Sequence, residues 1–195
     1  MRFTRGEWDI TLDCLQGRMP LPGGVLLGIG SAPGGIKDAL AFYWQCPETR
    51  VFAVNDAIPA WPHQLEFAGS LHGRYLVEQA PKQARLPWLV ARRIAPRPLG
   101  VSTSRRRGVQ LMFSRVTPGI SSSGMLPVLL GLALEVEAIV LAGVRLTGSH
   151  ADYIPDWRSA HASGLLDRVF TATDLTGLPL GELLRPAWQP YGEAA

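Results

Sequence analysis

The sequence has few of the features that mark membrane proteins, disulfide-rich secreted proteins or disordered chains. Its 195 residues include two cysteines, Cys14 and Cys46, which are too few for a disulfide framework or a cysteine-rich zinc site. No apolar run approaches the ~20 residues of a membrane-spanning helix, and residues 1–17 lack the apolar core of a signal peptide. These absences predict a cytoplasmic protein without a membrane span.

Charge is also sparse. Charged residues make up 18% of the chain and hydrophobic residues 47%, a balance typical of globular proteins. The formal net charge of +3 is too small to indicate a nucleic-acid partner by itself. The run Arg105–Arg107 is interpreted as a solvated loop, and the alternative is a clamp on a phosphorylated acceptor or on nucleic acid. Nucleic acid is therefore not the favoured partner.

Short apolar runs that end in glycine or polar residues alternate with helical patterns along the chain. This alternation predicts an α/β fold, with a mostly parallel sheet and helices on both faces. We expect a single Rossmann-like domain over residues 1–195, with an N-terminal extension at 1–22 and a surface insertion at 81–108. Helices are predicted at 35–45 and 121–134. Strands are predicted at 24–28, 51–54, 65–71, 109–116 and 138–142.

Ligands of such sheets bind outside the carboxyl ends of the strands, where the strand order reverses. By this rule we expect the ligand site to lie at three loops, which cover residues 28–35, 55–58 and 144–153. The start of the helix at 121–124 is predicted to supply a fourth wall. The sequence therefore predicts one site at one edge of the sheet.

The turn after the first predicted strand is rich in glycine and reads GIGSAPGG from Gly28. Glycines let the backbone approach a phosphate, and the following helix start favours its charge. The turn differs from the dinucleotide fingerprint at Pro33 and from a P-loop because Lys37 comes one place late. We predict phosphate or nucleotide contact at Gly28, Gly30 and Ser31, and a simple tight turn is the alternative.

Polar residues follow the second predicted strand and open the second predicted helix. Asn55 stands where a ribose- or base-binding group often lies in such folds, and Asp56 is alternatively a helix cap. The run Ser121–Ser123 offers hydroxyl and N–H groups to a phosphate or carboxylate, or merely caps the helix. It lacks the closing glycine of a nucleophile elbow, which disfavours hydrolase chemistry.

Two histidines are candidates for a general base. His150 lies in the loop after the apolar strand at 138–142, together with Asp152 and Tyr153. His161 lies on a predicted helix. Either imidazole suits proton transfer near neutral pH. The spacing of His150 and Asp152 alone is a weak metal pattern, so no metal site is predicted.

Taken together, these segments resemble a superfamily that includes bacterial sialyltransferases and the hydroxymethylpterin diphosphokinase-like proteins. Its members carry a turn like G-N-G-P-S-L, a strand that ends in V-N, a serine–glycine helix start and a strand that ends in A-G-x-D-L. A closing strand follows. The matching segments here are GIGSAP from Gly28, Val54-Asn55, Ser123-Gly124, IVLAGVRL from Ile139 and VFTAT from Val169.

The resemblance implies that a nucleotide binds at Gly28, Gly30, Asn55, Ser123 and Gly124. It also implies a histidine base, for which His150 and His161 remain alternatives.

Two positions depart from the family pattern. Ile29 replaces an asparagine of the first turn, and Arg145 replaces an aspartate after the last strand. These changes imply either a different donor or a domain that has lost catalysis.

The resemblance favours a transferase that moves a sugar or a diphosphate group from a nucleotide-activated donor to a hydroxyl acceptor. The expected cofactor is a nucleotide or nucleotide sugar, and Mg²⁺ is expected for a diphosphokinase-like reaction but not for a sialyltransferase-like one. The alternative is a non-catalytic Rossmann-like protein of phage or prophage type, which binds a nucleotide or a protein partner. The acceptor and any homo-oligomer are left open.

Overall fold

The computed structural model describes residues 1–15, 17–72, 92–96, 109–173 and 183–186. Strands and helices alternate through most of these ranges. The α-helices are α1 Gly35–Gln45, α2 Ala57–Ala60, α3 Leu126–Ala133 and α4 Ile154–Ala162. The strands are β1 Arg2–Arg5, β2 Trp8–Cys14, β3 Val25–Ile29, β4 Arg50–Val54, β5 Phe67–Gly69, β6 Arg92–Pro96, β7 Val109–Thr117, β8 Ala138–Ala142, β9 Val169–Thr171 and β10 Arg185–Pro186.

The strands form one ten-stranded sheet in the order β1-β2-β7-β6-β5-β4-β3-β8-β9-β10. β1 pairs with β2 and β2 with β7 in antiparallel fashion, whereas the remaining neighbours are parallel. Helix α1 connects β3 to β4, α2 connects β4 to β5, and α4 connects β8 to β9, as crossovers between parallel strands. The predicted α/β class, with mostly parallel strands, is thereby confirmed.

Helices cover the central strands on both faces of the sheet. Successive residues of a strand point to opposite faces, so each face has its own cluster of buried side chains. Leu26 and Leu141 pack with α3 and α4 in one cluster of buried side chains. Leu27 and Val140 pack with α1 and α2 in a second cluster. All eight residues of α3 are buried, so this helix lies inside the protein rather than on its surface.

The predicted strands and helices of the centre are confirmed with small shifts of their ends. The first predicted strand lies at Val25–Ile29, and the predicted helix at 35–45 is found without change. The second predicted helix begins as a 3₁₀ turn at Ser123–Met125 and continues as α3. Pro127 lies in the first turn of α3, where a missing N–H group costs little.

Residues 1–22, predicted as an extension, contribute β1 and β2 to one edge of the sheet. In β2 the buried side chains of Trp8, Ile10 and Leu12 alternate with more exposed ones. The carboxylate of Asp9 lies 2.8 Å from the guanidinium of Arg2 and 3.0 Å from that of Arg115. These contacts join β1, β2 and β7.

Within the predicted surface insertion at 81–108, Arg92–Pro96 forms β6 between β5 and β7. This part is therefore a strand of the sheet and not a surface insertion. This strand contains two arginines and a proline, so it does not form an apolar run in the sequence. The other residues of that segment and the run Arg105–Arg107 lie outside the described residues.

Within the described residues, none of the helices has both the length and the apolar composition needed to cross a membrane.

Candidate functional site

A cleft opens at the carboxyl ends of β3 and β8, where the strand order reverses. The chain runs from β3 towards β4 and β5 on one side, and β8 and β9 lie on the other. The cleft has a volume of about 340 Å³, within the range of roughly 300–1,000 Å³ that small-molecule pockets occupy. It is lined by Gly30, Ser31, Ala32, Pro33, Val54, Asn55, Ser122, Ser123, Gly124, Gly143, Val144, Arg145, Thr147, His150 and Tyr153.

Three glycines bring the backbone of the β3–α1 turn against the end of β8. A Cβ atom at Gly30 would overlap the carbonyl oxygen of Gly143, and one at Gly35 would overlap the Gly143 Cα. Gly143 itself has a φ of +66°, which favours glycine. The N–H groups of Gly30 and Ala32 donate to the carbonyls of Ala142 and Gly143 at 2.8 and 3.0 Å. The floor of the cleft therefore consists of packed backbone.

Gly28 does not line the cleft, although the sequence predicted it as a nucleotide contact. It lies inside β3, where an added Cβ would stand 2.6 Å from the Cβ of Pro127 and 2.8 Å from the Cδ2 of Leu141. The missing side chain lets α3 approach the sheet. Gly28 is therefore a packing residue beneath α3. Gly30 and Ser31, from the same predicted turn, do line the cleft.

Asn55 follows β4 directly and has a φ of +51°, a left-handed conformation that asparagine tolerates. Its Oδ1 lies 2.7 Å from the hydroxyl of Ser70, and its carbonyl accepts the N–H of Ile58. Asn55 is half-buried and is one of the residues that line the cleft, as the sequence predicted. Its neighbour Asp56 lies at the N-cap position of α2, and its side chain makes no cap hydrogen bond.

The serine-rich segment before α3 closes another side of the cleft. The hydroxyl of Ser122 accepts the N–H of Gly124 and caps the 3₁₀ turn. Ser123 lines the cleft, and its hydroxyl accepts the N–H of Leu71 at 3.2 Å. A Cβ at Gly124 would stand 2.8 Å from Val144, so glycine is needed for this turn to meet the loop after β8. Ser121 lies outside the lining, with its hydroxyl against a carboxylate oxygen of Asp156 in α4.

The structure separates the two histidine candidates. His150 lies in the 3₁₀ turn Gly148–Tyr153 and lines the cleft, with its ring 5.7 Å from that of Tyr153. His161 lies in the last turn of α4. It stands eight positions beyond Tyr153, which corresponds to about 12 Å along a helix. Among these two residues, only His150 is placed to act on a ligand in the cleft.

The cleft favours an anion. Arg145 carries the only formal charge among the described residues that line it, and no lining residue is an aspartate or glutamate. Helix α1 begins two residues after Pro33 of the lining, so the positive end of its dipole lies near this wall. Within the described residues, no group of three or more His, Cys, Asp or Glu side chains is arranged to hold a metal ion.

Ile29 and Arg145, the two positions that differ from the superfamily that the sequence resembles, lie in different environments. Ile29 has no exposed surface and packs in the core cluster beneath α1, so its side chain does not face the cleft. The guanidinium of Arg145 is exposed at the cleft and donates to the carbonyl oxygen of Pro33 at 3.0 Å. The first departure therefore removes nothing from the lining, whereas the second places a cation there.

Two features of the site were missed by sequence reasoning. The hydroxyl of Ser70 donates to Oδ1 of Asn55. A single serine after a short strand does not indicate such a contact in the sequence. The contact between Arg145 and Pro33 depends on the approach of two loops far apart in sequence. In the sequence, the glycines of both loops indicate that the two loops can pack closely.

Comparisons with protein-family models, with curated proteins and with solved structures found no match. The resemblance to the sialyltransferase and diphosphokinase-like superfamily therefore stays a prediction.

Proposed function

We propose that the chain is a Rossmann-like, nucleotide-dependent transferase whose donor binds in the cleft at the ends of β3 and β8. The observation that carries this proposal is the pairing of a cleft whose described lining has no acidic residue with Arg145 and the nearby start of α1. A phosphate group suits such a site, because backbone N–H groups and a guanidinium both donate to its oxygens. The strand order, with its reversal between β3 and β8, supports the Rossmann-like assignment.

In this proposal the phosphates of the donor lie against Gly30, Ser31 and the first turn of α1. Arg145 stabilises the charge that develops on the leaving nucleotide. Asn55 and Ser123 hold the rest of the nucleotide from the opposite side. Mg²⁺, if the reaction uses it, is held chiefly by the phosphates, because the described lining offers no carboxylate ligand.

His150 is the proposed general base. It takes the proton of the acceptor hydroxyl as that oxygen attacks the donor, and the bond to the nucleotide breaks. The attacked atom is the anomeric carbon in a glycosyl transfer and the β-phosphorus in a diphosphate transfer. Tyr153 packs edge-on against the imidazole and limits its rotation.

The test combines binding with product analysis. Nucleotide sugars and nucleoside triphosphates are incubated with hydroxyl acceptors, with and without Mg²⁺, and the released nucleotide is identified. Release of a nucleoside mono- or diphosphate from a nucleotide sugar indicates glycosyl transfer, whereas release of a nucleoside monophosphate from a triphosphate indicates diphosphate transfer. Hydrolysis without an acceptor product contradicts the transferase assignment.

The second candidate function is a nucleotide-binding protein without catalysis. The observation that favours it is Arg145, which donates a hydrogen bond to the carbonyl oxygen of Pro33 and stands where the superfamily that the sequence resembles carries an aspartate. Binding of a nucleotide with no turnover across the panel of donors and acceptors would support this candidate.

A further inference from the structure

The hydroxyl of Ser70 is fully buried and stands between two polar groups. It accepts the N–H of His72 at 3.0 Å and lies 2.7 Å from Oδ1 of Asn55. A serine hydroxyl has one hydrogen, and a buried hydroxyl hydrogen needs an acceptor. Its hydrogen is therefore donated to the Asn55 carbonyl oxygen.

This hydrogen bond decides which end of the Asn55 amide is available to a ligand. Because Oδ1 is held by Ser70, the NH₂ group is the end left to face the cleft that Asn55 lines. We infer that Ser70 is a positioning residue, which fixes this amide so that the cleft recognises a hydrogen-bond acceptor of the nucleotide. The inference rests on the proposed function, since it requires a nucleotide in this cleft.

The next residue orients a second donor in the same way. The N–H of Leu71 donates to the hydroxyl oxygen of Ser123, which leaves the Ser123 hydrogen to be donated elsewhere. Two consecutive residues after β5 thus orient one group at the end of β4 and one at the start of the 3₁₀ turn before α3. The NH₂ group of Asn55 and the guanidinium of Arg145 can only donate. The matching ligand atom is an acceptor, either a phosphate oxygen or a carbonyl or ring nitrogen of the base.

A double-mutant cycle between Ser70 and Asn55 tests the inference. Affinity is measured by calorimetry for wild type, Ser70→Ala, Asn55→Ala and the double variant. Without Ser70 the Asn55 amide rotates and presents either end, so Ser70→Ala should weaken binding about tenfold. The same change should have no further effect in the Asn55→Ala background, because Ser70 acts through Asn55.

Three kinds of probe identify the acceptor atom. Inorganic pyrophosphate offers phosphate oxygens only. The nucleotides form two pairs, CMP with UMP and AMP with IMP. In each pair the first member has a ring-nitrogen acceptor where the second has an N–H donor. If Asn55 meets the phosphates, Ser70→Ala weakens pyrophosphate binding and leaves the ratio within each pair unchanged. If Asn55 meets the base, the affinity ratio within a pair falls and pyrophosphate binding is unchanged. Either outcome supports the inference.

Thr49→Val is the matched control, since it removes a buried hydroxyl before β4, at the strand end opposite Asn55. It should leave every affinity unchanged. Ser70→Cys, which is close in size and a weaker donor, replaces Ser70→Ala if that variant does not fold.

Two results would count against the inference in different ways. Equal losses from Ser70→Ala in both backgrounds would indicate a general structural effect and overturn the inference alone. Failure of wild type to bind any probe would overturn the proposed function together with it.

Discussion

Arg145 donates a hydrogen bond from Nη2 to the carbonyl oxygen of Pro33 at 3.0 Å, and this contact joins the two loops that flank the cleft. One loop follows β3 and the other follows β8. The same loops meet through backbone alone at Gly30 and Gly143. The Arg145 hydrogen bond and the close packing of Gly30 against Gly143 therefore hold the same two loops together.

Arg145→Ala should weaken the binding of phosphate-bearing ligands about tenfold, since a charge-assisted hydrogen bond is lost. The loss should shrink as salt is added, because the side chain is exposed and its field is screened. Calorimetric titration at low and high ionic strength measures both effects. Arg158→Ala removes an exposed arginine of α4 that does not line the cleft, and should leave affinity unchanged. Equal losses in the two variants would indicate a long-range effect of net charge.

Gly143→Ala should destabilise the fold more than Gly148→Ala does. Both glycines have a positive φ, of +66° and +58°, and this conformation costs other residues about 1 kcal/mol. An alanine Cβ at position 143 would also stand 2.6 Å from the Gly30 carbonyl oxygen, whereas position 148 has open space. The overlap should add about 1–3 kcal/mol to the loss of unfolding free energy. Chemical denaturation of the two variants provides the comparison, and equal losses would show that the two loops do not meet.

His150→Ala should lower turnover by about 10²–10⁴-fold and leave nucleotide affinity nearly unchanged, as expected for a general base. His161→Ala should retain the wild-type rate, because His161 lies at the far end of α4. Steady-state kinetics and calorimetry on the same preparations separate the two effects. A wild-type rate in His150→Ala would show that another group accepts the proton.

Acid should weaken the attachment of the N-terminal strands through Asp9. The hydrogen bond from Arg2, together with the positive charges of Arg115 and Arg2, holds the pKa of Asp9 below its ordinary value. A lowered folded-state pKa stabilises the protein above the unfolded pKa of about 3.9 and loses this effect as the pH falls through the folded value. Unfolding free energies of wild type and Asp9→Asn should therefore differ at neutral pH and converge in acid. A constant difference would contradict the pKa shift.

The central strands and the position of the cleft follow from the sequence because buried parallel strands read as apolar runs. Val25–Ile29 and Ala138–Ala142 are such runs, and each ends beside a glycine. The alternation of apolar and polar residues in Trp8–Cys14 is typical of a half-buried strand and was a readable signal. The sequence reading missed it because residues 1–22 were assigned to an extension.

Other features required three-dimensional packing. Gly28 and Gly30 look alike in sequence, yet one meets α3 and the other meets Gly143. His150 and His161 were equivalent candidates until the length of α4 separated them. The support of Asn55 by Ser70 depends on the pairing of β4 with β5, which brings the ends of the two strands side by side.

The most direct measurement of the central claim is the thermal unfolding of wild type and Asn55→Ala against a panel of nucleotides and nucleotide sugars. A ligand at 100 times its dissociation constant adds about 2.7 kcal/mol of stability. We predict a clear rise in melting temperature with at least one phosphate-bearing nucleotide, reduced in Asn55→Ala and retained in Thr49→Val. No rise with any nucleotide, with or without Mg²⁺, would contradict the assignment of the cleft as a nucleotide site.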